Sequence, residues 1–225
     1  MPLLINTSGF RTPSGTCSPL TYTRLELLRY TALAQVPRII WLDTDTLALA
    51  DLGRLYRMRM RHAVAATMDR FYRDLAVHWW FVPPSWRSHI ADWSVRTFTC
   101  GVMVVDLDRW RADEGFTEKI GYIAQELRGH DGDQLPLNIY FGSNYDLLPS
   151  GWNEFLAAPD EWLFCTHRAG VQILHITGLV KYWHSEWDHL RNSRAQAWPI
   201  LSQVWPRQDC GVFGRSWQNR TLVHR

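Results

Sequence analysis

Two continuous apolar runs limit what this chain can fold into. The first is "RIIWL", Arg38 to Leu42, and the second is "TFTCGVMVVDL", Thr97 to Leu107. Short unbroken apolar runs of this kind belong to strands covered on both faces. Helical patterns surround them. In "TYTRLELLRYTALA", Leu25, Leu28, Ala32 and Leu33 recur at helical spacing, Thr21 or Thr23 stands where a cap belongs, and Pro37 ends the helix. "LADLGRLYRM" reads as a helix and "HAVAATMD" as the next strand. "FTEKIGYIAQEL" predicts an amphipathic helix with Phe116, Ile120, Ile123 and Leu127 on one face. "DQLPLNIYF" opens another helix with Asp133 as cap, and "YDLLP" and "VQILHI" predict short strands. Strands alternating with helices predict an α/β sandwich around a mixed, mostly parallel sheet.

The 225 residues are enough for one sizeable core and one domain. A net charge of +2, with the arginines scattered, argues against a nucleic-acid surface. No apolar run approaches the ~20 residues that span a bilayer. The four cysteines form no CxxC, which argues against a zinc knuckle. The start, "MPLLINTSGF", turns polar too soon for a signal peptide, so reduced thiols and a cytoplasmic location are expected. Residues 1–20, rich in Ser, Thr, Gly and Pro, read as an irregular lead-in. Residues 21–190 read as the main domain, and 191–225 as a helical tail, interrupted by Pro199, packed on that domain. Residues 70–95, with "HWWFVPPSW", read as a long loop packed by its own aromatics.

The run "RIIWLDTDTL" stops on two carboxylates, Asp43 and Asp45. Ligands of open α/β sheets bind beyond the carboxyl ends of strands. In an extended chain, positions i and i+2 point the same way. Two close carboxylates repel, and a divalent cation with hard oxygen ligands, Mg²⁺ or Mn²⁺, resolves that conflict. A polar turn with one Asp capping the next helix fits the same letters. So does the first motif of haloacid-dehalogenase-type phosphatases, although the chain has only Lys119 and Lys181 and lacks the late acidic pair. A second stretch, "ILHITGLVKYW", spaces His175, Gly178 and Lys181 three apart. A His offers a ring nitrogen to a metal, a Gly lets backbone approach a phosphate, and a Lys supplies a point charge.

Seven segments in order carry a family resemblance. "TYTRLELLRYTAL" resembles a YxKL or YxRL helix, "IIWLDTDTLALADLGRLY" a strand–DxD–helix unit, and "VAATMD" a sugar-contacting segment ending at Asp69. "FTCGVMVVDLDRW" resembles FNSGVMV, "GDQLPLNIYF" resembles GDQxxLN, "LPSGWN" resembles LPxxYN, and "LHITGLVKYW" resembles HFxGxxKPW. The chain thus resembles glycosyltransferase family 8, glycogenin-like enzymes in particular, over about residues 20–185. The resemblance implies a GT-A fold and retaining transfer of a hexose from a UDP-sugar, of the UDP-glucose or UDP-galactose class, to a carbohydrate, protein or lipid acceptor. It implies Mn²⁺, with Mg²⁺ as the substitute, on Asp43, Asp45 and His175. Tyr22, Arg24, Asp69, Thr99, Gly178 and Lys181 would bind substrate, and Asp133 and Gln134 would lie beneath the reacting carbon.

Three departures stand out. Residues 1–20 occupy the place of the strand–helix unit that holds uracil and ribose in the family. Thr99 and Cys100 replace Asn and Ser, and Tyr182 replaces Pro. The first of these makes a weakly active or non-catalytic nucleotide-sugar binder the alternative expectation.

Overall fold

The computed structural model describes residues 19–127, 132–156 and 170–177. Within them the chain folds into two small sheets with helices packed around the larger one.

The larger sheet has strand order β1-β4-β3-β5: β1 is Arg38–Leu42, β3 Val64–Met68, β4 Phe98–Asp106 and β5 Asp146–Leu147. The smaller sheet has order β2-β7-β6, from Thr46–Ala48, Ile173–Ile176 and Glu154–Leu156. The mixed α/β class stands, but the strand directions correct the sequence reading. β4 runs antiparallel to both β1 and β3, and β2 antiparallel to β7; β3 with β5 and β6 with β7 are the parallel pairs. An unbroken apolar run reports cover on both faces, not direction. β4 is that central strand, buried from Phe98 to Val105. β1 is not covered so fully: it ends the order of described strands, and all five residues are half-buried.

The helices are α1 (Leu52–Tyr56), α2 (Pro84–Arg87), α3 (Leu107–Ala112), α4 (Phe116–Glu126) and α5 (Gln134–Phe141). α1 and α3 start where an Asp side chain accepts from the first turn: Asp51 from Gly53 N–H at 2.7 Å, Asp106 from Arg109 N–H at 3.0 Å. The helix predicted over 21–34 forms instead as two 3-10 segments, Pro19–Arg29 and Thr31–Leu33. At three residues per turn, i and i+3 eclipse. Tyr22, Leu25 and Leu28 therefore make one row toward the core, and Arg24 and Leu27 a second buried row. The break at Tyr30 turns Ala32 out to solvent.

The main core lies between β3, β4, the first 3-10 segment, α4 and α5, around Phe98, Met103, Trp110, Phe116 and Ile120. The buried face predicted for α4 is observed. The segment read as a long loop holds a 3-10 turn, Leu75–His78, and α2, and aliphatics do most of its packing: Leu75, Val82 and Ile90 join Trp86 and Ile123, Leu127 and Leu135 of the helices, while Phe71, Trp80 and Phe81 are exposed. Trp79 meets Trp93 edge-on at 4.7 Å and carries the Arg87 guanidinium 4.6 Å above its ring. The predicted tail, Gly178 and Lys181 lie outside the described residues.

Candidate active site

A cavity of about 290 Å³ opens where β1 and β3 end and β4 begins, beside the start of α5. Its lining includes Arg24, Asp43, Asp69, Thr99, Asp133, Gln134 and His175.

The carboxylate pair converges through a turn, not through strand alternation. β1 stops at Leu42, and Thr46 closes the turn with both its N–H (3.1 Å) and its hydroxyl (2.7 Å) on the Asp43 carbonyl. β2 then pairs with β7, which sets Thr46 opposite His175. Asp43, Asp45 and His175 thus meet, with one ligand atom of each within 4.8 Å of the others. His175 Nε2 lies 3.2 Å from Asp45 Oδ1 and 4.0 Å from Asp43 Oδ2. Cation–ligand bonds of ~2.1 Å put neighbouring ligands about 3 to 4 Å apart, so the spacing fits a divalent ion. Two carboxylates and an imidazole suit Mn²⁺ or Mg²⁺ better than a thiolate-seeking metal.

Arg24 crosses the floor of the cavity. Its guanidinium reaches Asp133 Oδ2 at 2.5 Å and Asp43 Oδ1 at 3.0 Å, and also donates to the Cys100 carbonyl. It lies over the Trp41 ring at 4.8 Å. Burial works against the Arg24 charge, but Asp133 and Asp43 outweigh it and hold the group more firmly protonated than usual. Asp133 stands at the N-cap of α5, as predicted, yet its side chain makes no cap bond. Burial, helped by the charge of Asp43 and opposed by Arg24, pushes its carboxyl up to about 6.

Asp69 and Gln134 form a second unit. Asp69 Oδ1 accepts from the N–H groups of Phe71 (2.7 Å) and Tyr72 (2.9 Å). Its Oδ2 accepts from Gln134 Nε2 at 2.7 Å, while Gln134 Oε1 accepts from Cys100 N–H at 3.1 Å. The Gln134 amide is therefore held at both ends. Asn138, one turn further along α5, bonds both the N–H (2.7 Å) and the C=O (2.8 Å) of Phe98 and so ties the helix to β4.

The structure brings Arg24, Asp43, Asp45, Asp69, Thr99, Asp133, Gln134 and His175 to one place. It does not bring Tyr22, which is fully buried in the core next to Leu25. Sequence reasoning passed over Trp41, Gly101, Asn138 and Asn153, each of which lies in a quoted segment. A Gly inside a strand was the one available signal, because it marks a close approach. The phosphatase reading needed a lysine near Asp43; among the described residues none lines the cavity, and His175 stands beside Asp43 and Asp45.

The chain is 25% identical over 175 residues to the Arabidopsis thaliana protein described as probable galacturonosyltransferase-like 3, covering 73% of this chain and 50% of that one. It is 26% identical over 183 residues to probable galacturonosyltransferase-like 10 of the same plant, covering 74% and 48%. The chain thus spans about half the length of these curated relatives. Among solved structures, the galactosyltransferase LgtC in complex with donor and acceptor sugar analogs superposes with a TM-score of 0.58 at 21% identity, covering 94% of this chain and 73% of that one. An active-site mutant of LgtC gives 0.60, also at 21% identity, covering 89% and 72%. These likenesses identify the fold as GT-A. The sequence pattern of the family described as Glycosyl transferase family 8 matches residues 7–187, most of the chain, and the protein belongs to that family.

Proposed function

We propose that the protein is a metal-dependent, retaining glycosyltransferase that moves a hexose from a UDP-sugar, of the UDP-glucose or UDP-galactose class, to an acceptor. One observation carries this reading: Asp43, Asp45 and His175 converge at the cavity that Arg24, Asp133 and Gln134 also line. A Mn²⁺ or Mg²⁺ ion held by the first three would stabilise the negative charge that grows on a departing diphosphate. The other groups act through their own chemistry. Arg24 bridges Asp43 and Asp133, shares its one positive charge between them and fixes their separation. Asp133, once ionised, would stabilise positive charge on the sugar carbon as it becomes oxocarbenium-like. Gln134, clamped by Asp69 and Cys100, presents a fixed dipole rather than a swinging side chain. On the outer side, Phe155 packs 5.2 Å from His175, and Phe71, 65% exposed, packs 5.7 Å from Phe155. That aromatic wall suits the apolar face of an acceptor sugar. Lys181 and Gly178 are proposed for the diphosphate on the resemblance alone.

The test is a panel of UDP-sugars with Mn²⁺, with Mg²⁺ and with chelator, following UDP release, beside UDP binding by wild type, Asp43→Ala and His175→Ala. Release of UDP from a UDP-hexose, dependent on Mn²⁺ and lost in both variants, is expected. Mn²⁺-dependent UDP binding with no turnover of any donor would mark a non-catalytic relative. UDP affinity indifferent to metal and to both substitutions would refute the reading.

A further inference from the structure

We propose that Gly101, Asn153 and Trp41 are positioning residues that aim His175 and Asp43 at their common point. The inference rests on the metal reading of Asp43, Asp45 and His175. Each of the two aimed side chains has one polar atom already held, which leaves the other for a cation.

His175 is 7% exposed, and its Nδ1 lies 3.0 Å from Asn153 Oδ1. Asn153 is itself 2% exposed. An amide oxygen only accepts, so Nδ1 is the donor in this bond, and Nε2 is the nitrogen that faces Asp45 and would serve a cation. A histidine ligand is commonly oriented in this way by a partner on its other nitrogen. Asp43 shows the same arrangement. Its Oδ1 accepts from the Trp41 indole N–H at 2.9 Å and from Arg24 at 3.0 Å, so Oδ2 is the oxygen turned toward His175.

Gly101 supplies the space. A Cβ built there would lie 2.2 Å from His175 Cε1, 2.5 Å from Nδ1 and 3.3 Å from Asp43 Oδ2. The imidazole therefore rests on bare backbone of β4. Any side chain at 101 forces the ring away by about 1 Å or more, because carbon atoms do not approach closer than ~3.4 Å without repulsion. Gly101 also accepts the Asp43 N–H at 2.9 Å, so one residue fixes the start of the carboxylate turn and the seat of the histidine. A ligand displaced by that distance no longer shares a coordination sphere with Asp43 and Asp45.

The experiment measures Mn²⁺ affinity by calorimetry for wild type, Gly101→Ala, Asn153→Leu, Asn153→Asp and Trp41→Phe, with His175→Ala as reference. Metal-free thermal unfolding checks that each variant is folded. Gly101→Ala is expected to fall to the level of His175→Ala. Asn153→Leu and Trp41→Phe are expected to lose about 10- to 100-fold. Asn153→Asp retains an acceptor and is expected to bind within a few-fold of wild type; a merely structural Asn153 would not be rescued by that change. Gly101→Ala and Asn153→Leu binding like wild type would overturn the proposal. Wild type failing to bind Mn²⁺ would instead refute the metal reading. The positioning claim is then decided by metal-free crystal structures of the same two variants, in which an unmoved His175 ring refutes it.

Discussion

Replacing Asp133 by Asn tests the electrostatics of the cavity floor directly. Asp133 is buried, and its carboxyl is raised from 3.8 to about 6. Raising a pKa by one pH unit corresponds to about 1.4 kcal/mol, so ionising Asp133 costs the native state about 3 kcal/mol relative to the unfolded chain. The sign follows from proton occupancy. Between about pH 4 and 6 the native protein keeps a proton that the unfolded chain has released. The penalty is therefore absent below the unfolded value, grows as pH rises through that window, and is complete above about pH 7. Asn carries no proton to lose. Whatever offset the lost Arg24 bond introduces, Asp133→Asn should gain on wild type as pH rises, by about 2 kcal/mol between about pH 4.5 and 8. For a chain of this length that is about 4 to 8 °C in relative midpoint. Carboxylates remote from Asp133 are common to both proteins and cancel in the difference. The assay is urea unfolding of metal-free wild type and variant at half-unit pH steps. Two stability profiles parallel within about 0.5 kcal/mol would refute a raised Asp133, and with it the account of Arg24 as a counter-charge shared between two acids.

Asn138→Ala leaves both the N–H and the C=O of buried Phe98 without their side-chain partner; a loss of about 3 kcal/mol in urea unfolding is expected, and less than about 1 would contradict the tie between α5 and β4. Trp86→Ala empties the loop core and should cost about 3 to 5 kcal/mol. Trp80→Ala, at a side chain 82% exposed, should stay within about 0.5 kcal/mol by the same measurement. Asp106→Ala removes the cap of α3 and should cost about 1 kcal/mol.

The parts of this fold legible in the sequence are those with a repeating signal. α4 announces its buried face by spacing, and β1 and β4 by unbroken apolar runs. β2 and β6, three residues each, are too short to show a period. Strand direction is invisible because an apolar run reads the same both ways. The 3-10 geometry of Pro19–Arg29 escaped notice because Tyr22, Leu25 and Leu28 satisfy helical spacing at either pitch. In the site, Asp43, Asp45 and His175 were found as letters of a motif. The reason they meet, a turn closed by Thr46, was not. Side-chain pairs such as Asn153 with His175, or Arg24 with Asp133, leave no pattern along the chain, because each partner is chosen by proximity in the fold.

The charges around the cavity explain why the acidic pair is informative here and not in isolation. Asp69 accepts from three N–H groups. Asp43 and Asp133 share the Arg24 guanidinium. One positive charge stands between these two acids. At low pH a proton on Asp133 removes the excess negative charge. Near neutral pH that proton is leaving, and the trio carries one more negative charge than positive beside the nearly buried His175. Asp45 closes toward the same point, 3.2 Å from His175 Nε2. A cation bound at Asp43, Asp45 and His175, as proposed, would offset the Asp43 charge that helps hold Asp133 protonated. Proton and cation would then relieve the same repulsion.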